Sequence, residues 1–301
     1  FLLRAFVLVF REKSSVVNVH SLALLPLGWV LRWALKSKLV YDAHELETET
    51  NGLQGIRKKV SKFVERILIK SCDLTIVVGD EIANWYKNTY NIKKICVVKN
   101  APRLRALNKT GLFRELLPIR DDQKILLYQG CLMKGRGVES ILESFENRRD
   151  DSVVVVFMGY GLLQSRIEES TKNHNNIFFY PAVDPKDVLN FTSSADIGIS
   201  FIENTCLSYL YCMPNKLFEY AMAGLPVVVS NMTEMAEAVL TNNMGAVVND
   251  FSITSINAAI DTVLNADTEA LSENSYLYAC KNAWEEQEKV MVVAYKGMLN
   301  K

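Results

Sequence analysis

The densest set of side chains able to do chemistry lies in YQGCLMKGRGVES, residues 128–140, where Gly130, Gly135 and Gly137 surround Lys134 and Arg136. Glycines let backbone approach a ligand closely, and a helix starting just after them favours an anion. With two cations on the same short loop, this chemistry suits a diphosphate; glycines alone in such a turn would need no ligand. The spacing is neither GxGxxG nor a Walker A loop. A second stretch, PNKLFEYAMAGLPVVVS (214–230), opens a partly buried helix with Asn215 and Lys216 and places Glu219 one turn on. Lys216 and Glu219 could pair on a solvated face. At the mouth of a sheet, however, an acid there can take two ribose hydroxyls while the lysine meets phosphate. In VYDAHELETE (40–49), His44 and Glu45 follow a strand directly, where a lone histidine is structural or catalytic. In MGYGLLQSR (158–166), Gly159 and Gly161 fit plain turn geometry as well as a ligand contact.

These loops need elements to hold them. Strands are expected at 15–20, 38–44, 74–79, 94–100, 124–130, 152–159, 176–182, 195–200, 225–230 and 245–248, as short Val/Ile-rich runs. Helical periodicity separates them, with Val60, Phe63, Val64, Ile67 and Leu68 on one face of a helix over 56–71, and one or two helices over 275–299. Strands apolar on both faces belong to covered parallel sheets. The irregular stretch 102–122 marks a boundary, so the pattern predicts two doubly wound α/β domains. Ligands of such sheets sit beyond the carboxyl ends of the strands.

Composition narrows the class. At 301 residues with 49% hydrophobic and 23% charged residues, the chain can bury two cores and is not a disordered segment. Zero net charge hides an asymmetry: residues 1–110 carry 19 Lys or Arg against 9 Asp or Glu, and the remainder 15 against 25. A basic half invites an anionic surface, but it has no aromatic-interleaved basic cluster or reading motif for nucleic acid. Six cysteines without a CxxC, and three histidines, form no zinc pattern; scattered thiols in apolar runs suit a reducing compartment. FLLRAFVLVF is too short to span a bilayer and is broken by Arg4. The expected location is cytoplasmic. A chain opening on Phe1 within apparent domain interior reads as a fragment or a processed product.

Taken together, VYDAHE, YQGCLMKGRGVESILESF, VVVFMGYG, NIFFYPAVDPKDVLNFTSSADIGIS and PNKLFEYAMAGLPVVVS, followed by EMAEAV and MGAVV, resemble glycosyltransferase family 4 (glycosyl transferases group 1), in family order across nearly the whole chain. The resemblance implies the GT-B fold: two doubly wound Rossmann-like domains whose parallel sheets face a cleft. Residues 1–105 would form an acceptor-side domain lacking its first units, 106–282 the nucleotide-sugar domain, and 283–301 a helix crossing back to the first, anchored by Trp284, Val290, Val293 and Tyr295. It implies that Glu219 holds the donor ribose. The loop Met213 to Leu217, with Asn215, Lys216 and Leu217, would wrap the diphosphate and sugar. Arg136, on the glycine loop with Gly130, Lys134 and Gly135, would hold the diphosphate, and His44 would lie beside the donor sugar. Two positions depart from the family pattern: Tyr211 stands where a second glutamate is common, and Cys131 where an arginine is common.

The implied reaction is retaining transfer of a sugar from a nucleotide-diphosphate-sugar to an acceptor hydroxyl, sugar or lipid-linked, in bacterial surface polysaccharide or glycolipid synthesis. No DxD pair occurs, so cations and helix N-termini rather than a metal are expected to stabilise the leaving group, with no cofactor. The alternatives are a nucleotide-sugar epimerase of the same fold or a non-catalytic nucleotide-sugar-binding partner. Lys58, Lys62, Arg66 and Lys70 form a ridge four residues apart, and Trp29 and Trp33 add interfacial aromatics. Together they predict peripheral attachment to the anionic inner face of the cell membrane.

Overall fold

The computed structural model describes residues 2–300. Phe1 and Lys301, the outer ends of the expected first domain and last helix, lie outside them. The chain divides into two compact units, Phe1–Lys99 with Thr205–Met213 and Glu285–Lys301, and Asn100–Asn204 with Pro214–Trp284. The limits expected at 105/106 and 282/283 therefore shift by a few residues. The larger difference is 205–213, expected within the second domain but belonging to the first unit. The reason is apolar packing: Leu207 and Tyr211 lie against the first unit's core, and Asn51 Nδ2 donates to Thr205 Oγ1 at 2.7 Å.

The first unit holds a four-stranded parallel sheet, β1 (Val16–Val19), β2 (Lys38–Ala43), β3 (Leu74–Val77) and β4 (Ile95–Val97), in the order β1-β2-β3-β4. β2 and β3 are central and nearly wholly buried, as their apolar runs require. Asp73, just before β3, accepts from the Leu39 N–H at 3.0 Å and pairs with Arg32, which ties the amino end of β2 to the preceding helix. A helix at Leu2–Glu12, not expected from the sequence, precedes β1.

One helix of this unit is turned opposite to its sequence pattern. On Gly55–Leu68, Ile56, Phe63 and Ile67 are 80%, 66% and 51% exposed, and Val60 is exposed with them. The inward side carries charge instead. Glu65 is fully buried and accepts hydrogen bonds from the hydroxyls of Tyr41 (3.1 Å), Tyr86 (2.8 Å), Tyr90 (2.8 Å) and Thr48 (3.3 Å). Lys58, at 2.7 Å, and Lys62 pair with Glu49. Two members of the expected basic ridge are therefore drawn onto a carboxylate of the same unit. Trp29 and Trp33 are exposed as well and meet edge to face.

The last helix, Trp284–Leu299, is held differently from expectation. Val290 and Val293 are exposed. The anchors are buried Met298, buried Gln287, whose Oε1 accepts from the Lys99 N–H at 2.9 Å, and Tyr295, whose hydroxyl accepts from Asn18 at 3.1 Å.

The second unit is a six-stranded parallel sheet of β5 (Lys124–Cys131), β6 (Val153–Tyr160), β7 (Ile177–Pro181), β8 (Ile197–Ser200), β9 (Val227–Ser230) and β10 (Gly245–Val248), in the order β10-β9-β8-β5-β6-β7. The chain runs outward from β5 through β6 to β7, then returns to β8 on the other side of β5. That reversal makes the carboxyl ends of β5 and β8 a topological switch point, where a crevice opens. Aliphatic residues of β5, β6, β8 and β9, with Ile141 and Phe145 of the Val138–Asn147 helix, fill one face of the sheet.

Candidate functional site

At the carboxyl end of β5 the second unit has a pocket of about 290 Å³. Its lining includes Gln129, Gly130, Gly159, Asn215, Lys216 and Glu219. Two glycines make this geometry possible. Gly130 sits at φ +116, a left-handed backbone that side chains rarely adopt, with the Lys216 stem 3.7 Å from where a Cβ would stand. A Cβ on Gly159, its strand partner, would drive into the Gly130 carbonyl oxygen. The two strands meet this closely here because Gly159 lacks a side chain.

The Asn215–Met222 helix supplies the polar groups. It follows Pro214, whose side chain provides no cap, so the helix opens onto the pocket without a side-chain acceptor. Asn215 is exposed there. The Lys216 ammonium stands 3.7 Å over the centre of the Tyr128 ring. The Tyr128 hydroxyl donates to the Cys131 carbonyl at 2.9 Å, holding the ring in place. Burial pushes the Tyr128 phenol well above its ordinary value, and the nearby Arg136 charge opposes that shift. Arg136 and Lys216 thus converge electrostatically on one aromatic ring.

Glu219 is gripped by Gln129, whose Nε2 donates to Glu219 Oε2. The Gln129 Oε1 accepts from the Thr192 hydroxyl at 2.8 Å, and its backbone N–H donates to the Tyr220 hydroxyl at 3.0 Å. Burial pushes the Glu219 carboxyl above the ordinary carboxylate range, against the opposing pull of the Gln129 hydrogen bond and the Lys216 charge. A half-buried acid gripped by an amide, with the Lys216 charge beside it, is arranged to accept hydrogen bonds from a polar ligand.

The structure brings together Gly130, Gly159, Asn215, Lys216 and Glu219. Lys134 is exposed on the loop after β5, and Gly135 accepts from the Glu203 N–H at 3.1 Å, pinning that loop. Neither lines the pocket. Gly161 packs its backbone on Leu132. Leu217 is fully buried and its N–H donates to the Pro214 carbonyl at 3.0 Å, so that donor is already used. Tyr211, which stands where a second glutamate is common in the family, packs on the first unit's core. His44, in the first unit, stands beside His20 and Asp42. Sequence reasoning missed Gln129, Thr192 and Tyr128 here. The signal for Gln129 was available: it is the one amide in the apolar run KILLYQG.

Comparison with known proteins gives three findings. Residues 111–278 match the family model described as glycosyl transferases group 1, and residues 1–102 match glycosyltransferase family 4. Among curated proteins, 70 residues (23% of this chain) are 29% identical to WcaI of Escherichia coli K12, described as a colanic acid biosynthesis glycosyl transferase; they span 17% of that protein's length. Among solved structures, sucrose-phosphate synthase from Thermosynechococcus elongatus superposes over 100% of this chain and 77% of its own, with TM-score 0.82 and 16% identity. Anabaena HepE in complex with UDP-glucose does so over 100% and 82%, with TM-score 0.79 and 12% identity. Two parallel-sheet Rossmann-like units of this kind are the GT-B fold.

Proposed function

The chain belongs to the glycosyl transferases group 1 family, and from that membership we propose that it moves a sugar from a nucleotide-diphosphate-sugar to an acceptor hydroxyl with retention of configuration. The observation that carries the reading is the pairing of Glu219 and Lys216 on one helical turn, at the carboxyl end of β5, with Arg136 close by. Glu219 takes the ribose hydroxyls. The diphosphate lies against Gly130, the open start of the Asn215–Met222 helix, Lys216 and Arg136. The bond from the anomeric carbon to phosphate oxygen breaks, the acceptor oxygen bonds to that carbon, and the acceptor's proton passes to the departing diphosphate. Negative charge grows on the departing diphosphate, and two prepositioned cations lower that barrier without reorganising. His44 would take the role that the family resemblance implies for it, beside the donor sugar. Nothing in this chemistry asks for a metal or cofactor.

HepE holds UDP-glucose in its complex, which favours a uridine nucleotide as the first donor to try. For the acceptor, a lipid-linked sugar in surface polysaccharide or glycolipid synthesis fits the exposed apolar stripe of the first unit. Ile56, Val60, Phe63 and Ile67 are flanked by exposed Arg57, Lys59, Arg66 and Lys70, a combination suited to an anionic bilayer surface. No helix among the described residues is long and apolar enough to cross a membrane.

The test is a thermal-shift panel of UDP, GDP, ADP and their sugars, followed by product analysis with the stabilising donor. A ligand at 100 times its Kd adds about 2.7 kcal/mol, a readable shift. One nucleotide class should raise the melting temperature and support transfer to an acceptor. Release of free sugar or an epimer without acceptor would favour the epimerase reading, binding without turnover the non-catalytic one. No stabilisation by any nucleotide would overturn the assignment.

A further inference from the structure

The carboxyl ends of β1 and β2, in the first unit, carry a second cluster. His20 follows β1 directly, Asp42 lies in β2, and His44 follows β2. The parallel register sets Val19 opposite Tyr41, which brings position 20 level with 42. Asp42, near the end of β2, and His44, just past it, are two residues apart, and their side chains meet. His20 Nδ1 stands 3.2 Å from Asp42 Oδ2 and 3.3 Å from His44 Nε2, and His44 Nε2 is 3.9 Å from Asp42 Oδ1. The two rings stack with centroids 5.6 Å apart. Among the described residues this is the group of three such side chains whose ligand atoms all lie within 4.8 Å of one another.

Protons satisfy this arrangement poorly. If His20 Nδ1 carries the proton, it must divide one N–H between a carboxylate and an imidazole lone pair. If His44 Nε2 carries it and donates to His20, the bare His20 nitrogen faces the Asp42 carboxylate. If both carry one, two N–H groups oppose each other. A single cation bound by the two ring nitrogens and one Asp42 oxygen satisfies all three side chains. With metal–ligand distances of about 2.0–2.1 Å, the edges of a tetrahedron measure roughly 3.3 Å, which the separations of His20 Nδ1 from His44 Nε2 and from Asp42 Oδ2 match.

We propose that His20, Asp42 and His44 form a three-ligand site for a divalent transition metal of the zinc type, with its remaining position open to solvent. Two imidazoles and one carboxylate suit such ions; magnesium and calcium demand oxygen ligands. Both histidines are exposed, which gives the ion a path in. The sequence showed no zinc pattern because its ligands are far apart along the chain, and strand pairing alone unites them. The site stands independently of the reaction proposed above. Only its consequence rests on that reading: a metal on His44 Nε2 occupies the catalytic imidazole, so zinc would inhibit transfer.

The experiment titrates the full chain with CoCl2 and, in competition with a chromophoric chelator, with ZnCl2. It needs no turnover, so its failure and that of the functional reading are separable. One Co²⁺ per chain should bind with visible d–d bands and no thiolate charge-transfer band, which excludes the six cysteines. His20→Ala and Asp42→Asn should each weaken zinc binding by at least about a hundredfold, since losing even a partner behind a ligand costs roughly 10–100-fold. His174→Ala should leave it unchanged. MgCl2 should not compete. A thiolate band, equal affinity in His20→Ala, effective competition by magnesium, or no stoichiometric binding would each overturn the site.

Discussion

Glu219 and Arg136 are the side chains on which the donor reading is most exposed to test. Glu219 is held by the Gln129 amide, and with the Lys216 charge beside it burial still outweighs both. A ligand offering hydroxyl donors offsets that burial further. Glu219→Ala and Arg136→Ala are each expected to weaken nucleoside-diphosphate binding by about 1.5–3 kcal/mol, the usual cost of a charge-assisted contact. Melting temperatures of the unliganded variants should change little for Arg136, which sits on a partly exposed loop. Calorimetry giving unchanged affinity in both variants would remove the pocket from consideration. The types and spacing of these residues were legible in the sequence. The grip of Gln129 and the stacking of Lys216 on Tyr128 were not, because both depend on β5 and the Asn215–Met222 helix meeting across 90 residues of chain.

At the scale of the element, the Gly55–Leu68 helix is the clearest case of tertiary structure overriding periodicity. Its two stripes are plain in the sequence, and a core usually takes the apolar one. Here three tyrosine hydroxyls, from β2 and the Asp80–Tyr90 helix, require a common acceptor, and Glu65 provides it. The buried carboxyl has its affinity for protons raised, first by burial, although four hydrogen bonds oppose that shift. The folded state therefore binds a proton at pH values where the unfolded chain does not. The resulting stabilisation is present below the ordinary carboxylate range and is lost as pH rises through the folded value. Glu49 acts in the opposite sense. Burial raises its value, but Lys58 and Lys62 outweigh burial and lower it, so its contribution is lost on acidification. Replacing Glu65 with Gln removes one titration and leaves the other. Denaturant unfolding should show wild type gaining on Glu65→Gln as pH falls from 7 to about 5. An identical stability difference at both values would contradict the assigned direction.

For the whole molecule, the inverted helix changes how the basic half should meet a membrane. Lys58 and Lys62 are committed to Glu49, so docking falls to Arg57, Lys59, Arg66 and Lys70, at roughly 1 kcal/mol each near an anionic leaflet. Ile56, Val60, Phe63 and Ile67 add apolar insertion. The protein should co-sediment with anionic vesicles at low salt and much less with neutral ones, and Phe63→Asp with Ile67→Asp should abolish it. These residues are exposed, so the variants should fold. Failure to sediment at any ionic strength would leave a soluble acceptor. The sequence by itself determined the parallel α/β class, the order of strands and helices, and the glycine and charge pattern of the donor loops. Each of these follows from local periodicity and backbone sterics over a few residues. Only the tertiary structure decided that 205–213 joins the first unit, that Val290 and Val293 face solvent, that the helix over 55–68 turns its charges inward, and that His20 meets Asp42 and His44. Those outcomes depend on which distant group supplies a hydrogen-bond partner or an apolar surface, and no spacing along the chain encodes that choice.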